Sequence, residues 1–232
     1  MNPLLSITDL DRALTLSLNG SDSLFWDNWM TVSTNTFAWS LLVLMLLYIL
    51  FKNNTPKDAL IILLTIGIMI FVTDRICSGW VKPTVGRWRP TQDPLIMYSV
   101  DVVNDYRGGR FGFFSGHASN TTCVAMFLSW IFRSRKLTIV LFIWSAIATF
   151  TRIYLGVHYI GDILVGGIIG CLIGYLFFRL YYKLYGHTLH THRISEQYTQ
   201  SGYLKSDIDR FLSVIFLNYI FLIIISITIG IN

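Results

Sequence analysis

Charge is what this sequence has least of. Asp, Glu, Lys and Arg make up only 13% of its 232 residues, while 53% are hydrophobic. A water-soluble domain of this size carries roughly 25% charged residues, so the composition points to a chain that lives in a bilayer. Cysteine is scarce as well. Cys77, Cys123 and Cys171 are odd in number and show no CxxC spacing, which argues against a disulfide framework and a zinc site. The net charge of +5 is not drawn into a basic face interleaved with aromatics, so no nucleic-acid partner is expected. The first 30 residues lack a basic start followed by an apolar run and a small-residue cleavage site, and the first spanning helix is expected to act as the insertion signal. Repeats, low-complexity tracts and interdomain linkers are also missing, so residues 1–232 read as a single domain.

Long apolar runs are abundant. Segments of about 20 residues can cross the hydrocarbon core, and six can be drawn: 30–51, 59–80, 117–132, 137–155, 162–182 and 210–231. The fold class expected is therefore all-α, a six-transmembrane helix bundle. Residues 1–29 form an N-terminal interfacial segment. Within it Ile7, Leu10, Leu14 and Leu18 recur at helical spacing with Asp9, Asp11 and Arg12 elsewhere, the pattern of an amphipathic helix lying in the membrane interface. Phe25, Trp26 and Trp29 follow as interfacial aromatics. Residues 59–73 and 137–151 hold only 15 uncharged residues each, so both helices must continue through Asp74–Arg75 and through Arg152. Charges at such positions should face protein or water and are functional candidates. If the N-terminus is extracytoplasmic, the cytoplasmic loops 52–58, 133–136 and 179–210 carry ten of the 18 Lys and Arg residues. Three of the remaining eight belong to the chemistry below, and this orientation then satisfies the positive-inside rule.

In that topology two connections rich in polar residues emerge on one face of the membrane. The first holds VKPTVGRWRP and YRGGRFGFFSGH, the second TRIYLGVHYIGD. Lys82, Arg89 and Arg152 are three cations that repel one another unless an anion lies between them. Arginine forks and a lysine point charge suit a tetrahedral oxyanion. Ser115 and Gly116 open the third apolar segment, where free helix amides, a hydroxyl and an unhindered backbone favour an anion. His158 and Asp162 are four residues apart and share a face if both are helical. The carboxylate can accept the Nδ1 proton and leave Nε2 free as a nucleophile. His117 supplies a second imidazole able to protonate a leaving oxygen. Arg87, Arg107 and Arg110 flank these blocks, either as contacts to a second phosphate or sugar headgroup or as interfacial anchors. His187, His190 and His192 suggest a metal cluster but lack acidic support, and they read as a solvated loop; no metal and no cofactor is expected.

Taken together the blocks resemble the type 2 phosphatidic acid phosphatase superfamily, whose signature is KxxxxxxRP, PSGH and SRxxxxxHxxxD. Here these are Lys82 to Arg89-Pro90, then Phe114-Ser115-Gly116-His117, then Thr151-Arg152 to His158 and Asp162. Order and spacing agree over roughly residues 70–182, the motif-bearing core. Phe114 stands where the family has proline, and Thr151 where it has serine. The resemblance implies a metal-independent phosphatase in which His158 forms a phosphohistidine, Asp162 orients it and His117 is the acid and then the base. It implies too that Lys82, Arg89, Ser115, Gly116 and Arg152 hold the phosphoryl oxygens. The expected partners are the bilayer and a phosphorylated lipid, with undecaprenyl diphosphate or a lipid A phosphate favoured over phosphatidylglycerol phosphate or phosphatidate. The expected location is a bacterial inner membrane with the site facing outward. Vanadate-dependent haloperoxidases share the anion pocket but are soluble, and a transporter would need polar residues along its helices rather than at one end.

Overall fold

The computed structural model describes residues 6–186 and 196–229; His187, His190 and His192 lie outside them. The described residues are helical, without a strand. Two short helices, α1 (Ile7–Ser17) and α2 (Leu24–Ser33), precede α3 (Ser40–Asn53), α4 (Pro56–Asp74) and the one-turn α5 (Lys82–Val85). After a long irregular connection come α6 (Gly116–Phe132), α7 (Arg135–Tyr154), α8 (Ile160–Tyr185) and α9 (Lys205–Ile229).

Among the described residues five helical stretches are long and apolar enough to cross a membrane: Thr36–Asn53, Pro56–Val85, Arg135–Tyr154, Ile160–Tyr185 and Lys205–Ile229. Two of them continue through their charges as expected. Beyond α4, helical winding widens into π-type turns over Arg75–Val81 and runs on to Val85, and α7 includes Arg152. Arg152 is buried, whereas Asp74 and Arg75 are exposed. The expected first span, 30–51, is corrected: it is divided between the end of α2 and a second helical stretch. Asn35 is the reason, because its side-chain oxygen accepts from Phe37 N at 2.9 Å and starts a new helical turn.

The third expected segment, 117–132, falls in α6, which has 17 residues and lies at the centre of the bundle, packed chiefly on α8, then α7 and α4. Its closeness to α8 depends on Gly166, Gly170 and Gly174. A Cβ on Gly166 would come within 2.7 Å of the Ser115 carbonyl oxygen, and those on Gly170 and Gly174 would run into the Ser119 and Cys123 carbonyls. Small residues every four positions let two helix backbones approach in this way. At the other end of the bundle an apolar core joins Leu50, Ile62, Phe127, Ile131, Leu137 and Phe211. The polar blocks therefore lie at the end of the bundle where α4, α7 and the starts of α6 and α8 meet.

Candidate active site

Three backbone ties draw the blocks together. Gly112 N donates to Arg87 O at 2.9 Å and Arg89 N to Arg110 O at 3.3 Å, with a bridge between Trp88 and Phe111. Thr91 N donates to Gly156 O at 3.1 Å, and Ser115 N to Asp162 O at 3.0 Å. Each motif is thus pinned to another before any side chain is considered. Gly156 makes the turn after α7 possible: its φ is +66°, and a Cβ there would lie 2.5 Å from Val100 Cγ1.

At the centre is His158, 2% exposed, beside the fully buried Asp162. The shared helical face expected for this pair is corrected. His158 precedes α8, whereas Asp162 occupies its first turn and reaches back, Oδ2 accepting from Tyr159 N at 3.1 Å and standing 3.3 Å from His158 Nδ1. A carboxylate at the third helical position commonly closes on the cap in this manner, and here the imidazole joins the closure. With Nδ1–H donated to Asp162, Nε2 carries the lone pair and points to Arg89 Nη1 at 3.4 Å. Burial holds the His158 pKa well below its ordinary value of 6.5, and Arg89, Arg152, Lys82 and His117 push it further in the same direction. Both influences favour the neutral imidazole.

The cations are held without carboxylates. Among the described residues none of Lys82, Arg89 and Arg152 forms a salt bridge. Arg89 donates to Val157 O at 3.1 Å, and Arg152 to Thr34 Oγ1 at 2.7 Å and Tyr106 OH at 2.9 Å. The buried Nε atoms of Arg89 and Arg152 have no protein partner. Buried donors normally find one, so this donor set suits an anion with several oxygens. Ser115 caps α6, its Oγ accepting from Ala118 N at 3.3 Å, which leaves its hydroxyl proton for another acceptor. The position of a Gly116 Cβ would be 4.0 Å from Lys82 Nζ and 3.5 Å from Cys77 Sγ, so lysine and helix start meet there. His117, the second residue of α6, lies near the Thr34 backbone.

The flanking arginines separate. Arg107 and Arg110 are exposed, Arg110 lying 4.6 Å over the Trp88 ring. Arg87 turns inward, donating to Asp162 Oδ1 at 2.8 Å and Asp11 Oδ2 at 2.7 Å. Several contributors escape a reading by motif. Thr34 and Tyr106 come from segments without a signature. Gly112 leaves room for the His–Asp pair: a Cβ there would be 2.9 Å from Asp162 Oδ2. A glycine in an otherwise aromatic stretch was the available signal. Among the described residues no group of three or more His, Cys, Asp or Glu is arranged to hold a metal ion.

Residues 58–185 match the PAP2 superfamily. The chain belongs to that family. It is a phosphoric ester hydrolase embedded in the membrane, and the resemblance seen in its three blocks is a true membership. Its relatives include the "Lipid A 4'-phosphatase" of Bacteroides thetaiotaomicron, 41% identical over 71% of this chain and 73% of that one. The protein of the same name from Porphyromonas gingivalis is 35% identical over 71% and 70%. The crystal structure of a PAP2-type phosphatidylglycerolphosphate phosphatase from Bacillus subtilis superposes with a TM-score of 0.58 at 22% identity, covering 77% of this chain and 87% of that one, and so has the same fold.

Proposed function

We propose that this PAP2 enzyme removes a phosphate monoester from a lipid A-type glycolipid at the outer face of a bacterial inner membrane, through a phosphohistidine on His158. The observation that carries the chemistry is the set of three cations, without carboxylate partners among the described residues, near a buried imidazole oriented by a carboxylate. In the first step His158 Nε2 attacks phosphorus, the bond to the lipid oxygen breaks, and that oxygen takes a proton from His117. In the second step water attacks phosphorus, gives its proton to His117, and releases phosphate and a free His158. Lys82, Arg89, Arg152, the Ser115 hydroxyl and the Gly116 amide stabilise the phosphoryl oxygens as charge develops on them. Asp162 steadies the cationic ring of the intermediate, and no step calls on a metal ion.

The substrate reading draws on the names of two relatives, from Bacteroides thetaiotaomicron and Porphyromonas gingivalis, and on the exposed Arg107 and Arg110, available to meet a second phosphate or a sugar. The orientation reading is supported by the ten Lys and Arg residues in the sequence segments 52–58, 133–136 and 179–210. α6 serves as the sixth span, its polar start lodged in the site and its shortness accommodated by close packing on α8. α1 rests in the interface with Ile7, Leu10, Leu14 and Leu18, all exposed, turned toward lipid. The test is phosphate release from purified enzyme over a panel of lipid A, undecaprenyl diphosphate, phosphatidylglycerol phosphate and phosphatidate, with and without EDTA. We expect lipid A to be turned over fastest, equally well in EDTA. A different preferred lipid refutes the substrate reading, and loss of activity in EDTA refutes the mechanism.

A further inference from the structure

We propose that Asp11, on the N-terminal helix and outside all three sequence blocks, is a positioning residue that acts through Arg87 to hold Asp162 against His158. This rests on the reading of His158 as nucleophile and Asp162 as its partner.

Arg87 is a two-ended clamp. One terminal nitrogen is 2.8 Å from Asp162 Oδ1 and the other 2.7 Å from Asp11 Oδ2, and the guanidinium lies 4.1 Å over the Tyr159 ring. Asp162 is fully buried and Asp11 nearly so, at 13% side-chain exposure, so water screens the assembly poorly. Asp11 also reaches the catalytic helix directly. Its Oδ1 accepts from Gly161 N at 2.9 Å, and the neighbouring Thr15 Oγ1 accepts from Ile160 N at 3.2 Å. These are first-turn amides of α8, which have no partner within the helix. Arg12 adds a third tie, Nε donating to Asp93 Oδ2 at 3.1 Å, an oxygen that also takes the Tyr159 hydroxyl at 2.7 Å. The polar face of α1 is therefore docked on residues 159–162, while Ile7, Leu10, Leu14 and Leu18 on its apolar row are exposed among the described residues.

Charge bookkeeping explains why a second carboxylate matters. Arg87 alone would neutralise Asp162 and leave His158 facing an ion pair of no net charge. Asp11 restores one net negative charge to the group, directed at the ring that becomes cationic when phosphorylated. The other charges facing His158 are Arg89 of the first block, Arg152 of α7, Lys82 of α5 and, when protonated, His117 of α6; all are positive.

The experiment compares Asp11→Asn, Asp11→Glu, Arg87→Gln, the double variant Asp11→Asn/Arg87→Gln and His158→Ala on one lipid substrate. For Asp11→Asn we expect kcat to fall about ten- to a hundredfold, the size of effect found when an outer partner of a metal-binding histidine is removed, with KM within about twofold. The acid limb of its kcat/KM profile should move to lower pH, because the ring has lost a stabilising anion. That position does not depend on the folded fraction, so a poorly folding variant still reports. Asp11→Glu should regain most of the activity, and the double variant should be no worse than Arg87→Gln alone. Wild-type kcat and acid limb in Asp11→Asn, or losses that multiply in the double variant, would overturn the proposal. Turnover by His158→Ala would instead sink the nucleophile assignment beneath it.

Discussion

At His158 two environments compete. Asp162 favours a charged ring, whereas burial and the surrounding cations favour a neutral one, and the second group prevails with the pKa held well below 6.5. In the proposed mechanism the neutral form attacks phosphorus, so a depressed pKa would preserve activity as pH falls. In the wild type the acid limb of kcat/KM, corrected for ionisation of the substrate phosphate, should therefore lie below pH 6.5. Arg152→Gln removes one of the repelling charges. Its limb should move upward toward 6.5, while kcat/KM falls about a hundred- to a thousandfold from loss of a phosphoryl-oxygen donor. An unmoved limb in that variant would show that Arg152 does not act on His158. His158, Asp162 and the three cations could be named as candidates from the sequence because their spacing is a chemical signature. Thr34, Tyr106 and Asp11 were not, since nothing local to them distinguishes a partner in the site from any polar residue near an interface.

Between elements, the packing of α6 on α8 sets the distance from Ser115–Gly116 to His158–Asp162. Ser115 N donates to Asp162 O, and Gly166 lies directly beneath, with room for no side chain before the Ser115 carbonyl. Gly166→Ala should push the two helix starts apart. We expect it to lower kcat more than about tenfold and to cost about 1–3 kcal/mol of stability as overpacking, read by activity and thermal melting in detergent. Gly67, which has open space around it, is the control: Gly67→Ala should leave both unchanged. Five of the six expected apolar segments have a counterpart among the long apolar helical stretches, including the passage through Asp74–Arg75 and Arg152. The break at Asn35 was hidden, because one side-chain cap interrupted an apolar run without altering its hydropathy. The His158–Asp162 spacing was read correctly as contact but wrongly as helix geometry, since an N-terminal carboxylate folds back on its cap as readily as it follows a helical face.

Across the whole molecule the family match covers residues 58–185, yet the chain before residue 58 also reaches the site, through Thr34 to Arg152 and through Asp11 to Arg87. The basic loops, the exposed arginines and the apolar row of α1 all agree with a molecule that meets a large anionic lipid at one membrane surface. Everything in this account turns on a covalent bond between phosphorus and His158. Rapid acid-free quenching of the wild type with a lipid labelled with radioactive phosphorus in the scissile group measures that bond directly. We expect a transient label that is stable to alkali and lost in acid, maps to residue 158, forms equally in EDTA and is missing from His158→Ala. A wild type that turns over without ever carrying label, or a label retained in His158→Ala, would contradict it.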